Sequence, residues 1–296
     1  MVSQCAGAHA RYIELADGSR LGYAELGSPG GVPVVYIHGF PASRLEARLS
    51  EAAAQHRGIR LIAVDRPGYG LSDFHPGHRL DTWPQRVTQL ADRLGIGRFA
   101  VVGVSGGGPF ALACAWQLGE RLSRVAVVAG LGPVYEPWAV AALRWHAQVG
   151  FLLANHARPL LRPIYGVFPY LPMRFSPVTF YALLRRCTPR PDRQFLSEPA
   201  IRTGLVASIR ESMRQGVRGA LHELVVFSEP WRIPFDAIRV PVDLWHGGTD
   251  QVVPPLHGEF FARAIPSACW HYLAPEGHFS ILRHADRILS PLAARA

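Results

Sequence analysis

The chain has 296 residues, 49% of them hydrophobic and 18% charged, which suits a globular protein with a substantial core and excludes a disordered or collagenous one. No 18-residue uncharged apolar run occurs, so no membrane span is expected. The net charge is +9, and all 31 basic residues are arginine. That charge is uneven: residues 140–220 hold twelve arginines against Asp192, Glu198 and Glu211, and the rest of the chain balances. A basic stretch attracts anionic substrates, membranes or nucleic acid. No nucleic-acid motif accompanies it, so a solvated or internally paired face is expected and no nucleic-acid partner. Residues 1–10 lack a basic region followed by an apolar core, so the expected compartment is the cytoplasm. Cys5, Cys114, Cys187 and Cys269 match no metal or redox spacing, and the expectation is incidental thiols with no metal and no cofactor.

In chain order, residues 11–15 and 20–26 alternate around the turn Asp17-Gly18, a hairpin pattern. The run Val34-Val35-Tyr36-Ile37 has the near-continuous apolar character of a strand buried on both faces, and His38-Gly39-Phe40-Pro41 follows it. A helix is predicted over residues 43–57, stopped by Gly58, and a strand over 59–64. Asp81 or Thr82 is the expected cap of a helix reaching residue 94. A strand over 99–104 then meets Ser105, a helix over 110–118 and a strand over 124–129. This alternation argues for a mostly parallel sheet covered by helices on both sides.

The rhythm breaks over residues 131–230, where aromatics, arginines and prolines crowd together without a parallel-strand pattern. The expectation is a helical insertion, a cap subdomain, with residues 1–130 and 231–296 forming the core. The sheet resumes at 240–245, followed by a loop with Asp250, a helix over 255–264, a strand over 269–273, a loop with His278 and a last helix ending near residue 289.

Gly103-Val104-Ser105-Gly106-Gly107 fits a nucleophile elbow, in which a strand turns sharply into a helix and lifts a serine oxygen clear of the backbone. A serine hydroxyl is a poor nucleophile until an oriented base takes its proton. Asp250 and His278 each follow a late strand, so parallel strands bring both to the edge that carries Ser105. Glu276 is the rival acid. Among the other histidines His38 is expected to brace its own loop, while His257 and His271 fall within regular elements. A tetrahedral intermediate requires two donors, and the amides of Gly106 and Phe40 are the candidates.

The blocks His38-Gly39-Phe40-Pro41, Asp65-Arg66-Pro67-Gly68-Tyr69-Gly70-Leu71-Ser72, Gly103 to Gly107, Gly247-Gly248-Thr249-Asp250 and Gly277-His278-Phe279 together resemble the capped, serine-dependent branch of the α/β-hydrolase superfamily. The resemblance covers nearly the whole chain. It implies an α/β fold with an eight-stranded, mostly parallel sheet, helices on both faces and a helical cap. It also implies Ser105 as nucleophile, His278 as base, Asp250 as acid, and Phe40 and Gly106 as oxyanion-hole residues. Epoxide hydrolases and haloalkane dehalogenases of this fold use an aspartate where Ser105 stands. Proline iminopeptidases usually carry Gly-Gly-Pro-Gly where this chain has Phe40-Pro41-Ala42.

The expected activity is hydrolysis of an ester or lactone of an apolar small molecule through an acyl-enzyme. C–C bond hydrolysis or perhydrolysis by the same residues is one alternative, and a receptor-like binding protein on the same fold is another. His38, Gly39, Trp138 and Trp145 are candidates for lining the pocket or supporting its loops. The sequence assigns no oligomeric state.

Overall fold

Alternation along the strands builds two cores, one on each face of a single sheet. The computed structural model describes residues 3–4, 11–167 and 170–294. Cys5 and most of the N-terminal stretch lie outside the described residues. The strands are β1 (Ser3–Gln4), β2 (Arg11–Glu14), β3 (Arg20–Gly27), β4 (Val32–Ile37), β5 (Ile59–Val64), β6 (Phe99–Val104), β7 (Leu122–Val128), β8 (Val242–Gly247) and β9 (Ala268–Leu273). Their spatial order is β1-β2-β3-β5-β4-β6-β7-β8-β9. Strands β2 to β9 are the eight-stranded sheet read from the sequence, and the two-residue β1 pairs beyond β2. Strands β1, β2, β3 and β5 pair antiparallel, and every pairing from β5 onward through β4 to β9 is parallel.

Odd and even positions of each strand face opposite ways. Val35, Ile37, Val101 and Leu244 pack with α2 (Trp83–Arg93) and α3 (Gly108–Gln117). Val34, Tyr36, Val102 and Trp245 pack with α1 (Glu51–His56) and α13 (Ala285–Leu289). Burial on both faces explains why these strands read as unbroken apolar runs.

Some boundaries differ from the sequence reading. Residues 44–50 form a 3₁₀ turn before α1, with Ser43 accepting from the Leu45 amide, so only the second half of the predicted helix is α. Thr82 occupies the N-cap position of α2 as expected, but its side chain makes no capping hydrogen bond; the hydroxyl accepts from the Arg79 amide at 3.0 Å in the preceding loop. Between β7 and β8 the described residues form eight α-helices, a 3₁₀ turn (Phe235–Ala237) and no strand: α4 (Pro137–Ala142), α5 (Trp145–His156), α6 (Arg158–Tyr165), α7 (Tyr170–Phe175), α8 (Pro177–Arg186), α9 (Arg190–Phe195), α10 (Pro199–Ser212) and α11 (Arg218–Ser228). Helix α12 (Leu256–Ala264) then joins β8 to β9. No described helix is long and apolar enough to cross a membrane.

The site is positioned by one feature of the strand order. The chain passes from β4 outward to β5, then returns to the other side of β4 at β6, so connections leave in opposite directions and open a crevice at the carboxyl ends of β4 and β6.

Candidate active site

Ile37 pairs with Gly103 across β4 and β6, so the loop beginning at His38 and the turn at Ser105 emerge side by side. Ser105 adopts φ 52°, a conformation that few non-glycine residues accept and that persists only where the surroundings enforce it. Packing enforces it here. A methyl group at Gly103 would stand 2.5 Å from the Gly107 carbonyl oxygen, and one at Gly107 would collide with the Ile37 carbonyl. Strand and helix therefore approach closely on both sides of the serine. Ser105 itself is 8% exposed.

Asp250 and His278 meet. The His278 Nδ1–H donates to Asp250 Oδ2 at 2.7 Å, and Asp250 Oδ1 accepts the amides of Val252 and Val253, both at 2.8 Å. The acid is thus locked by its own loop and in turn fixes the imidazole tautomer. Burial pushes the His278 pKa down, but the charge and hydrogen bond of Asp250 outweigh it, helped by Asp192 and Glu46, and the net direction is upward. The rival acid Glu276 is engaged elsewhere, accepting from His284 Nε2 at 3.0 Å. Among the described residues no hydrogen bond joins Ser105 to His278; such contacts often tighten only in a complex.

Phe40 and Gly106 also come together. A methyl group at Gly106 would lie 2.5 Å from Phe40 Cβ and 3.3 Å from the Phe40 amide nitrogen. The Gly106 amide belongs to the first turn leading into α3, where N–H groups have no partner within the helix. Two adjacent amides of this kind can hold a negative oxygen.

The loop that carries Phe40 is held from three sides. His38 donates from Nδ1 to the Gly39 carbonyl at 2.7 Å and accepts the Arg66 amide on Nε2 at 3.2 Å. Burial and the neighbouring Arg66 guanidinium depress its pKa strongly, so His38 is a neutral brace. Glu46 accepts the Gly39 amide at 2.7 Å and the Tyr36 hydroxyl at 3.1 Å. Arg66 donates to the carbonyls of His38 and Gly39.

Arg66 is also paired with Glu223 of α11, both fully buried, and Tyr69 donates its hydroxyl to the same carboxylate at 2.9 Å. Burial raises the Glu223 pKa, but Arg66 and His78 outweigh it and bring it to about 2.

Asp192 of α9 was not singled out by the sequence. Its side chain is completely buried and accepts three successive backbone amides: His278 at 3.0 Å on Oδ2, and Phe279 and Ser280 at 2.9 Å on Oδ1. A methyl group at Gly277 would lie 2.5 Å from the Asp192 carboxyl carbon, which explains the glycine there. The one available signal was scarcity, since Asp192 is the first acid after Glu136 in an arginine-rich stretch.

One expected pocket residue is placed otherwise. Trp145 is 76% exposed, and its ring contact is with His146. Trp138 packs against His257 and Phe260, next to α12. The aromatic neighbours of Phe40 are instead Phe227 of α11 and Tyr170 of α7, with ring centroids at 5.5 Å and 6.4 Å. The buried Tyr170 hydroxyl has no hydrogen-bond partner.

One other group of potential metal ligands, Asp243, Cys269 and His271, lies on β8 and β9. Both Asp243 oxygens are already engaged, one by Arg124 at 2.8 Å and one by His271 at 2.9 Å.

The family described as alpha/beta hydrolase fold matches residues 32–285. A non-heme chloroperoxidase of Streptomyces lividans is 32% identical over 124 residues, 41% of this chain and 45% of that protein, so less than half of that relative's length is spanned. A bifunctional esterase/perhydrolase of Acinetobacter calcoaceticus is 26% identical over 247 residues, 82% of this chain and 83% of that protein. An esterase structure from Exiguobacterium antarcticum superposes with a TM-score of 0.67 at 20% identity, covering 96% of this chain and 99% of the other, a likeness of fold.

Proposed function

Because the chain belongs to the alpha/beta hydrolase fold family, we propose that it is a serine hydrolase that cleaves an ester or lactone of an apolar small molecule. The reading rests above all on the His278–Asp250 hydrogen bond of 2.7 Å at the strand edge that also presents Ser105 at φ 52°. In this mechanism His278 Nε2 takes the Ser105 proton as the serine oxygen attacks the carbonyl carbon. The amides of Phe40 and Gly106 hold the oxyanion. His278 then returns the proton to the leaving alcohol, and a water activated by the same imidazole releases the acid. Asp250 keeps the imidazole oriented and stabilises its charged form.

Residues 131–230 act as a cap over this centre. Tyr170 and Phe227 face Phe40 with largely apolar surface, which supports an apolar acyl or alcohol group, and the unpartnered Tyr170 hydroxyl supplies one polar contact for it. The esterase/perhydrolase relative is consistent with acyl transfer to water or peroxide.

The test is labelling by a fluorophosphonate together with a panel of aryl and alkyl esters and lactones. Ser105→Ala is expected to abolish labelling and lower ester turnover by about 10⁶-fold. Labelling that survives Ser105→Ala would remove Ser105 from its role, and a folded wild-type chain that takes neither probe nor ester would favour a binding protein.

A further inference from the structure

Helices α5 to α8 carry apolar side chains that nothing in the described chain covers. Trp145 and Phe175 are each 76% exposed, and Leu152, Leu160 and Leu183 stand roughly half in solvent. Eight of the ten exposed large hydrophobic residues in the described chain fall within residues 145–183. On α5 the exposed Trp145, Val149 and Leu152 recur at i, i+4 and i+7, one stripe of the helix, while Gly150, Phe151 and Ala154 are buried.

The four helices are tied to one another. Gly150 of α5 sits against the Tyr165 ring of α6, where a methyl group would stand 2.5 Å from Cζ. Tyr165 packs edge-on against Tyr170 of α7 at 6.0 Å. Arg144, just before α5, donates to the Cys187 carbonyl just after α8 at 2.7 Å.

Charge narrows what can cover this surface. No acid occurs between Glu136 and Asp192, while seven arginines do: 144, 158, 162, 174, 185, 186 and 190. Arg158 pairs with Glu229; the other six have no acidic partner among the described residues. Between Glu136 and Asp192 six of the seven arginines thus lack an acidic partner among the described residues, whereas further along the same basic stretch Arg214 pairs with Glu211.

Two copies meeting through this surface would bring unpaired guanidinium groups together, which opposes self-association. A nucleic acid would satisfy the arginines but leave the exposed leucines without a role. A layer with anionic headgroups above acyl chains satisfies both kinds of side chain.

We propose that the exposed surface of α5 to α8 docks on an anionic phospholipid surface, with Trp145, Phe175 and Leu183 entering the headgroup–acyl boundary and the unpaired arginines meeting the phosphates. The inference is independent of the proposed chemistry.

The test is cosedimentation of the full chain with phosphatidylglycerol-containing vesicles and with pure phosphatidylcholine vesicles across a salt series. Binding is expected to the anionic vesicles, to weaken with salt, and to be at least about tenfold weaker on the neutral ones. Trp145→Ser with Phe175→Ser should weaken binding at all salt concentrations. Arg162→Glu with Arg186→Glu should weaken it by about fivefold or more per arginine and flatten the salt dependence. All four positions are exposed, so thermal unfolding should match the wild type, and Ser105→Ala should bind as the wild type does. Equal binding to both vesicle types, or none, overturns the proposal. A concentration-dependent dimer that Trp145→Ser dissociates would assign the surface to a second copy. Retention of RNA that is indifferent to Trp145→Ser, without vesicle binding, would assign it to a polyanion.

Discussion

The loops at the carboxyl edge of the sheet and the helices α4 to α11 above them are built on different principles. In the loops, backbone geometry fixes the chemistry. Ser105 is held at φ 52° by close strand–helix packing, Asp250 is anchored by two amides of its own loop, and the Phe40 loop is braced by His38, Glu46 and Arg66. The helices reach this edge through apolar contacts of Tyr170 and Phe227 with Phe40 and through a few carboxylates: Glu223 to Arg66, Glu211 to Arg44 at 2.8 Å, and Asp192 to the His278 loop. Close backbone packing tolerates side-chain drift at the serine, whereas each buried carboxylate that ties a helix to the edge is a single point of failure.

That contrast is broken most severely at Asp250, inside the edge loops. Asp250→Asn keeps the shape but replaces the acceptor facing His278 Nδ1, so the wrong tautomer is favoured. Ester turnover is expected to fall by about 10⁴-fold. Steady-state kinetics beside a thermal melt separate this from unfolding, and a loss below tenfold would contradict the assigned role.

Next in size is the attachment of α11. Glu223→Leu leaves the Arg66 guanidinium buried without its partner, which costs about 3–5 kcal/mol. Denaturant unfolding reads this directly. Adding Arg66→Met should recover part of it, because a matched apolar pair removes the stranded charge, although His38 and Gly39 then lose a donor to their carbonyls.

Asp192 tests whether the helical region only covers the site or also shapes it. Asp192→Ala frees three amides and is expected to slow fluorophosphonate labelling by about 10²-fold through misplacement of His278. Asp192→Asn keeps one acceptor oxygen and should lose less, because its NH₂ group faces amides already donating. Lower thermal stability with unchanged labelling would reduce Asp192 to a structural tie.

The same contrast explains what could be read from the sequence. The edge loops announce themselves because a strained serine, a close glycine and an acid after a strand leave residue-level marks: Gly103 to Gly107, Gly247 to Asp250, Gly277-His278. The helical region was legible as helical, since prolines and aromatics crowd it and strand alternation stops. Its inward face was not. Helix α5 is apolar on both sides, so periodicity cannot tell the exposed Trp145 from the buried Phe151, and Trp145, expected at the pocket, faces solvent. Asp192, Glu223 and Glu46 escaped notice because each acts on a residue far away in the chain, and no spacing encodes that. Thr82 was read correctly as a candidate N-cap residue, but its hydroxyl bonds the nearby Arg79 amide rather than the first turn of the helix.

The smallest effect lies in the titration of His278, where both regions contribute a carboxylate. Burial disfavours the imidazolium, Asp250 more than offsets it, and Asp192 adds to the upward direction. In the proposed mechanism His278 must be neutral to accept the Ser105 proton, so kcat/KM should rise with pH through a midpoint above about 6.5, the ordinary histidine value. Asp250→Asn should move the residual activity's midpoint down the most, and Asp192→Asn should move it down less, if the α9 carboxylate acts electrostatically as well as through its hydrogen bonds. Stability follows the opposite sense from activity. A pKa raised on folding contributes stability that is complete below about 6.5 and lost as pH rises through the folded value. His78 and His257 counter this at low pH, because burial holds each at about 4 in the folded chain; they favour folding above about 6.5 and withdraw that support as pH falls toward 4. A kcat/KM profile with its acid limb centred at or below 6.5 in the wild type would show that Asp250 does not outweigh burial, and would separate the hydrogen bond seen at 2.7 Å from any charge stabilisation of the base.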